Sequence, residues 1–151
     1  MEYKISFSPH DFGVKHINQL IRNAEKSIAI CVFTISDDRI TDVIKDAYDR
    51  GVEVRIITDN EKLWDLGSDI KSLANHGIEI KVDETEFHMH HKFMVVDEHM
   101  LLTGSYNWTK TAAENNQENL LSLLHPEICQ HYLDEFNRLW DKFNFLEDKI
   151  Y

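Results

Sequence analysis

The chain has 151 residues, 42% hydrophobic and 28% charged, enough for one ordinary hydrophobic core and too well balanced for intrinsic disorder or a fibrous repeat. Sixteen basic residues against 27 acidic ones give a net charge of −11, which excludes a broad basic surface for duplex DNA or an anionic membrane but not a small local cationic site. Two cysteines, Cys31 and Cys129, are too few for a disulfide framework or a four-thiolate zinc site and fit a reducing compartment.

The opening stretch Met1 to His10 lacks a basic start followed by an apolar run, and nowhere do about 18 apolar residues follow one another. A soluble, cytoplasmic protein without a membrane anchor in this chain is expected. Tyr3 to Phe7 reads as a short strand, and Ile17, Leu20, Ile21 and Ala24 as a helix after it. Ser27 to Thr34 and Val52 to Thr58 are β-rich runs, and between them Ile40, Val43, Ile44 and Ala47 fall at helical spacing before Gly51. Strand, helix, strand of this length is a βαβ unit, which requires two buried parallel strands. A helix around Asp69 to Asn75 and a strand from Ile78 to Val82 follow. The second half reads as strands Lys92 to Val96 and Met100 to Thr103, a turn at Gly104-Ser105 and a helix from Asn107 to Asn116. A strand from Leu120 to Leu124 and a long helix from Pro126 to about Asn144 close it. No Ser/Gly/Pro-rich linker interrupts this series, so residues 1–151 are expected to form a single α/β domain. Its predicted architecture is an α/β/α sandwich around a mixed, mainly parallel sheet.

The densest chemistry is Phe87-His88-Met89-His90-His91-Lys92. On a strand His88, His90 and Lys92 share one side, and His91 faces the other with Phe93, where packing is the expected role. The cluster alone reads as a solvated basic loop. A His-x-His pair can also hold zinc, but no carboxylate or cysteine spacing nearby completes such a site. The downstream residues decide the matter. From His90 the pattern is His90-x-Lys92-x4-Asp97, then Gly104-Ser105-x-Asn107. Six specified types in this window arise by chance on the order of 10⁻⁸ per starting position.

This pattern resembles the His-Lys-Asp motif of the phospholipase D superfamily with its Gly-Ser-x-Asn extension. The stretches around Cys31-Val-Phe-Thr-Ile-Ser, Gly51 to Asp59, Met89 to Asp97, Leu102 to Thr109, Asn116 to Leu120 and Asp134 to Trp140 resemble its short branch with one motif per chain. That branch holds bacterial endonucleases and the animal mitochondrial phospholipase D. The mitochondrial anchor, the zinc-finger insertion and the export signal of its members have no counterpart in this sequence.

The resemblance implies hydrolysis of a phosphodiester without a metal or other cofactor. His90 is the candidate nucleophile, since a neutral imidazole can attack phosphorus to give a phosphohistidine that water cleaves. Lys92, Ser105 and Asn107 supply charge and directed donors to the phosphate oxygens, aided by a helix start near Asn107. Glu118 stands where the resemblance places the carboxylate partner of the histidine. Gly104 and Asp97 support the motif. Asp97 lies at the far end of a strand from His90, about 20 Å away by strand rise, so it is assigned no phosphate contact. Asn60, Trp64, Phe87, His88, Tyr106 and Trp108 are candidate substrate-groove residues, the aromatic ones as stacking surfaces for bases. The chemistry needs a nucleophile and a general acid, yet the chain carries one His-x-Lys motif, so a two-fold homodimer with both His90 residues in one site is expected. An endonuclease preferring single-stranded DNA or RNA is the leading expectation, with a phospholipid hydrolase acting on cardiolipin second and a non-catalytic nucleic-acid-binding dimer third.

Overall fold

The structure, a computed structural model, describes residues 1–61, 63 and 65–146. In chain order the elements are β1 (Tyr3–Phe7), α1 (Phe12–Arg22), β2 (Ser27–Val32), α2 (Asp38–Asp49), β3 (Glu53–Asp59), α3 (Ile70–Asn75) and β4 (Glu79–Asp83). They continue with β5 (Lys92–Val96), β6 (Met100–Gly104), α4 (Lys110–Glu114), β7 (Asn119–Leu124), α5 (Pro126–Lys142) and β8 (Asn144–Phe145). The strands form one eight-stranded sheet in the order β1-β7-β6-β5-β2-β3-β4-β8.

The βαβ unit forms for the reasons its pattern implies. Ile28, Ile30 and Val32 of β2 enter the core beneath α1 and α2, whereas Ala29 and Cys31 enter the core beneath α5. Both faces of β2 are therefore dry, which explains its unbroken apolar run. Asp37 caps α2 by accepting from Arg39 N at 3.1 Å, and Gly51, at φ +92, takes the left-handed turn after it. On the opposite face α5 stands alone, started by Pro126 and capped by His125, and buries Cys129, Leu133, Phe136 and Leu139. Helices on both faces make the α/β/α sandwich.

The sheet is mixed, but "mainly parallel" describes its pairing poorly. Parallel pairing is confined to β2–β3 and β3–β4, and the other neighbours are antiparallel. The reason lies in the second half, where three residues link β5 to β6, a connection too short for a parallel crossover. Two boundaries also differ from expectation. The helix expected from Asn107 begins at Lys110, because Thr109 is the cap and accepts from Ala112 N. The closing helix stops at Lys142, since Phe143 turns extended and feeds β8 against β4. Among the described residues no helix is long and apolar enough to cross a membrane.

Candidate active site

The alternation of strand directions brings the functional loops to one edge of the sheet. The ends of β2, β3, β4 and β6 meet there with the starts of β5 and β7, as the pairs Val32↔Lys92, Asp59↔Asp83, Phe93↔Thr103 and Gly104↔Leu120 record. The end of β1 joins them through Phe7↔Asn119. In sheets of this class the carboxyl ends of parallel strands are where ligands bind.

The histidine loop between β4 and β5 is pinned from below. Asp59, 1% exposed, accepts from Met89 N at 2.7 Å through Oδ2 and from Glu61 N at 2.9 Å through Oδ1. Phe33 N donates to His91 O at 3.1 Å, and the buried Met89 sulfur receives the Cys31 thiol at 3.5 Å. These ties hold His90 at the surface with its ring 5.0 Å from that of Phe33 and 6.4 Å from that of His88. Lys92 Nζ lies 3.1 Å from His90 Nδ1 and donates to His90 O at 2.7 Å. Burial, reinforced by the charges of Lys92 and His88, holds the His90 imidazole below its ordinary value against the pull of Asp59 and Glu61. Burial likewise lowers the Lys92 ammonium, opposed by Glu118.

Gly104 leaves β6 so close to β7 that a Cβ there would lie 2.1 Å from Asn119 O, so no side chain fits without parting the strands. The next residue is fixed by that approach. Ser105 Oγ donates to Glu118 Oε1 at 2.7 Å and accepts from Asn119 N at 3.1 Å. His90, Lys92, Gly104 and Ser105 line one open depression of about 440 Å³. Asn107 opens into a separate depression with Ser36, Thr109 and Asn116, and its buried Oδ1 has no hydrogen-bond partner there among the described residues.

Several expectations require correction. The Glu118 carboxylate accepts from Ser105 Oγ at 2.7 Å and from Asn116 Nδ2 at 3.2 Å, and among the described residues it makes no hydrogen bond to His90. Tyr106 and Trp108 are each 1% exposed and belong to the core, so neither can stack on a base. Tyr106 packs on Gly13, and Trp108 O accepts from Ser36 N and Asp37 N. His91 is exposed, not packed, with its ring edge-on to Phe93 at 5.5 Å. α4 spans Lys110–Glu114, so no helix start stands at Asn107 to aim amides at an anion.

Phe87 is 73% exposed and His88 is also at the surface, both lining a groove with His90, Arg138 and Lys142. Asn60 is half-buried and donates its N–H to Asp83 O. Trp64 lies outside the described residues. Asp97 accepts from the backbone N–H groups of Glu25, Lys26 and Ser27 at 2.7 to 3.2 Å, a contact that closes the opposite end of the sheet. Sequence reasoning missed Asp59, Phe33 and Arg138. Of these Asp59 carried a signal, since it ends a buried parallel strand.

One depression at the edge of a mixed sheet thus gathers an imidazole, an ammonium and a hydroxyl, groups able to bind an anion. Residues 17–140 match the family described as "Cardiolipin synthase, PLD-like domain". A mitochondrial cardiolipin hydrolase of Chlamydomonas reinhardtii is 43% identical over 121 residues, covering 80% of this chain and 54% of that protein. Its counterpart in Xenopus tropicalis is 39% identical over 137 residues, covering 90% of this chain and 65% of that one. The chain thus spans between half and two thirds of the length of these relatives. Among solved structures, Nuc from Salmonella typhimurium, a phospholipase D family member, superposes with a TM-score of 0.90 at 25% identity over 97% of this chain and 99% of that one. NucT from Helicobacter pylori shares the fold, with a TM-score of 0.84 at 21% identity over 96% of this chain and 100% of that one. The chain belongs to the phospholipase D superfamily, in the branch that carries one motif per chain.

Proposed function

We propose that the chain is a phospholipase D-type hydrolase whose substrate is a phospholipid of the cardiolipin kind. The observation that carries this reading is the setting of the phosphate site: His90, Lys92 and Ser105 share one open depression, and exposed apolar side chains stand at the same edge of the sheet. Phe87, 73% exposed, borders the groove beside His90; Leu66, 107% exposed, borders the depression of Asn107; and Phe7, 65% exposed, ends β1 at the same sheet edge. Apolar residues displayed around an anion site suit a substrate that joins a phosphodiester to acyl chains. The names of the relatives point the same way, and so reverse the order expected from sequence. Cellular location goes with the substrate, because those relatives are named as mitochondrial while the chain alone reads as cytoplasmic.

In this mechanism the His90 imidazole attacks phosphorus, the phosphorus–oxygen bond to the leaving alcohol breaks, and His90 of the partner subunit protonates that oxygen. Lys92 binds the non-bridging oxygens, joined by Ser105 once its hydroxyl turns from Glu118 to the phosphate and by Asn107 from the loop that follows. Water then attacks phosphorus, the phosphorus–nitrogen bond to His90 breaks to restore the neutral imidazole, and the second histidine takes the proton of the water. No group here requires a metal or cofactor. A nuclease is the second reading, favoured by the exposed ring of Phe87 beside the two cations Arg138 and Lys142.

The test incubates purified protein in excess EDTA with cardiolipin vesicles, single-stranded DNA, RNA and duplex DNA. Release of phosphatidic acid without nucleic-acid cleavage is expected. Cleavage of single strands alone supports the second reading, and activity that appears only on adding a metal ion sinks the mechanism.

A further inference from the structure

Apart from the groups assigned to phosphate chemistry, one set of metal-ligand side chains converges among the described residues. Asp59 and Glu61 leave the end of β3, and His88 comes down from the histidine loop. Their ligand atoms all lie within 4.8 Å of one another. We propose that Asp59, Glu61 and His88 bind a divalent transition-metal ion of the zinc class. His88 Nδ1 is 3.6 Å from Asp59 Oδ1 and 3.5 Å from Glu61 Oε2, both too long for hydrogen bonds. They are, however, close to the spacing of about 3.4 Å between two ligands of a tetrahedral ion with bonds near 2.1 Å.

The donors differ in how they are held. The Asp59 carboxylate is fully buried and oriented by the N–H groups of Met89 and Glu61, the kind of outer contact that fixes a ligand in place. The Glu61 and His88 side chains are 48% and 50% exposed, so they can close on an ion arriving from solvent. One imidazole with two carboxylates favours zinc or manganese over magnesium, and three protein ligands leave a fourth position for water or an anionic oxygen. An ion there offsets two carboxylate charges beside the histidine loop. None of the three residues is a member of the His90, Lys92 and Ser105 group, so the ion is an accessory to the hydrolysis and not a participant.

The test titrates zinc chloride into the whole chain, freed of metal beforehand, and follows the heat of binding. The variants are His88→Ala, Glu61→Gln and His90→Asn. Asp59 is left intact because it also holds Met89 N. Wild type should take up one zinc per chain. Since loss of even an outer-shell contact weakens metal binding about 10- to 100-fold, His88→Ala and Glu61→Gln should each weaken it about tenfold or more. His90→Asn should bind as wild type does, which separates the site from the hydrolytic reading because that variant is inactive in the proposed mechanism. Thermal unfolding of each variant without zinc checks that folding is intact. Absence of stoichiometric binding, or unchanged affinity in His88→Ala, overturns the proposal. Loss of binding in His90→Asn also overturns it, by placing the ion on the histidine cluster.

Discussion

Lys92 acts on His90, whose Nδ1 lies 3.1 Å from its Nζ, as well as on the phosphate of the proposed mechanism. Burial and the neighbouring charges of Lys92 and His88 keep the imidazole below 6.5, so its neutral, attacking form prevails at neutral pH. The acidic limb of kcat/KM should therefore fall below pH 6.5. Lys92→Ala removes a positive neighbour, which stabilises the imidazolium and moves that limb upward, while the rate falls on the order of 10²-fold. A pH–rate profile of the variant checks both effects, and an unmoved limb would deny the electrostatic link. His90→Asn should abolish turnover and leave thermal stability unchanged, since the ring is exposed. Asp59 serves a different purpose, for its carboxylate is the acceptor of Met89 N at 2.7 Å. Asp59→Ala leaves a buried N–H unpaired, at a cost on the order of 1–3 kcal/mol, and frees the loop that carries His90. Asp59→Asn keeps an acceptor and should recover most of that loss in urea unfolding.

Between elements, His16 is the buried joint of α1, β1 and β7. The residue is 0% exposed, with Nδ1 2.9 Å from Ser6 Oγ and Nε2 2.7 Å from Ser122 Oγ. Burial lowers it to about 4 from 6.5, so the unfolded chain takes up the proton first as the pH falls. Its contribution is full above pH 6.5 and is lost on acidification towards pH 4, on the order of 3 kcal/mol in all. Urea unfolding across that range should show a loss that His16→Gln largely removes. In the β5–β6 hairpin, Asp97 and Glu98 both take positive φ, 52 and 63, as a type I′ turn demands. Glu98→Gly should therefore stabilise the protein by a few tenths of a kcal/mol up to about 1 kcal/mol.

These elements also mark what a sequence can reveal. The βαβ unit was legible because Ile40, Val43, Ile44 and Ala47 repeat at helical spacing between two apolar runs, and all four are buried. The motif residues were legible because His90, Lys92, Ser105 and Asn107 lie within one short window. Tyr106 and Trp108 misled because proximity to a motif says nothing of which face a ring takes, and both rings went inward. Asp59 was marked only by its place at the end of a buried parallel strand, while its contact with the histidine loop and that of Glu61 stayed hidden because only the fold brings the end of β3 beneath a loop so far along the chain.

At the scale of the molecule, the expected site needs two chains, and mixing tests that directly. If His90 of each subunit is required, co-expression of wild-type and His90→Asn chains at wild-type fraction f should give activity following f², about a quarter at equal amounts. Differentially tagged mixed dimers that retain half activity would place a complete site in each chain. The two faces of the sheet offer one more measurement. Four helices guard one core and α5 alone guards the other, and Cys31 and Cys129 are both sealed in the latter. The thiols are therefore built-in clocks for the detachment of α5. If that layer opens as a unit before the whole chain unfolds, both should react with a thiol reagent at one common rate, with a weaker urea dependence than global unfolding. Since Cys31 touches Met89 beneath the histidine loop, each such opening also removes the floor on which His90 stands.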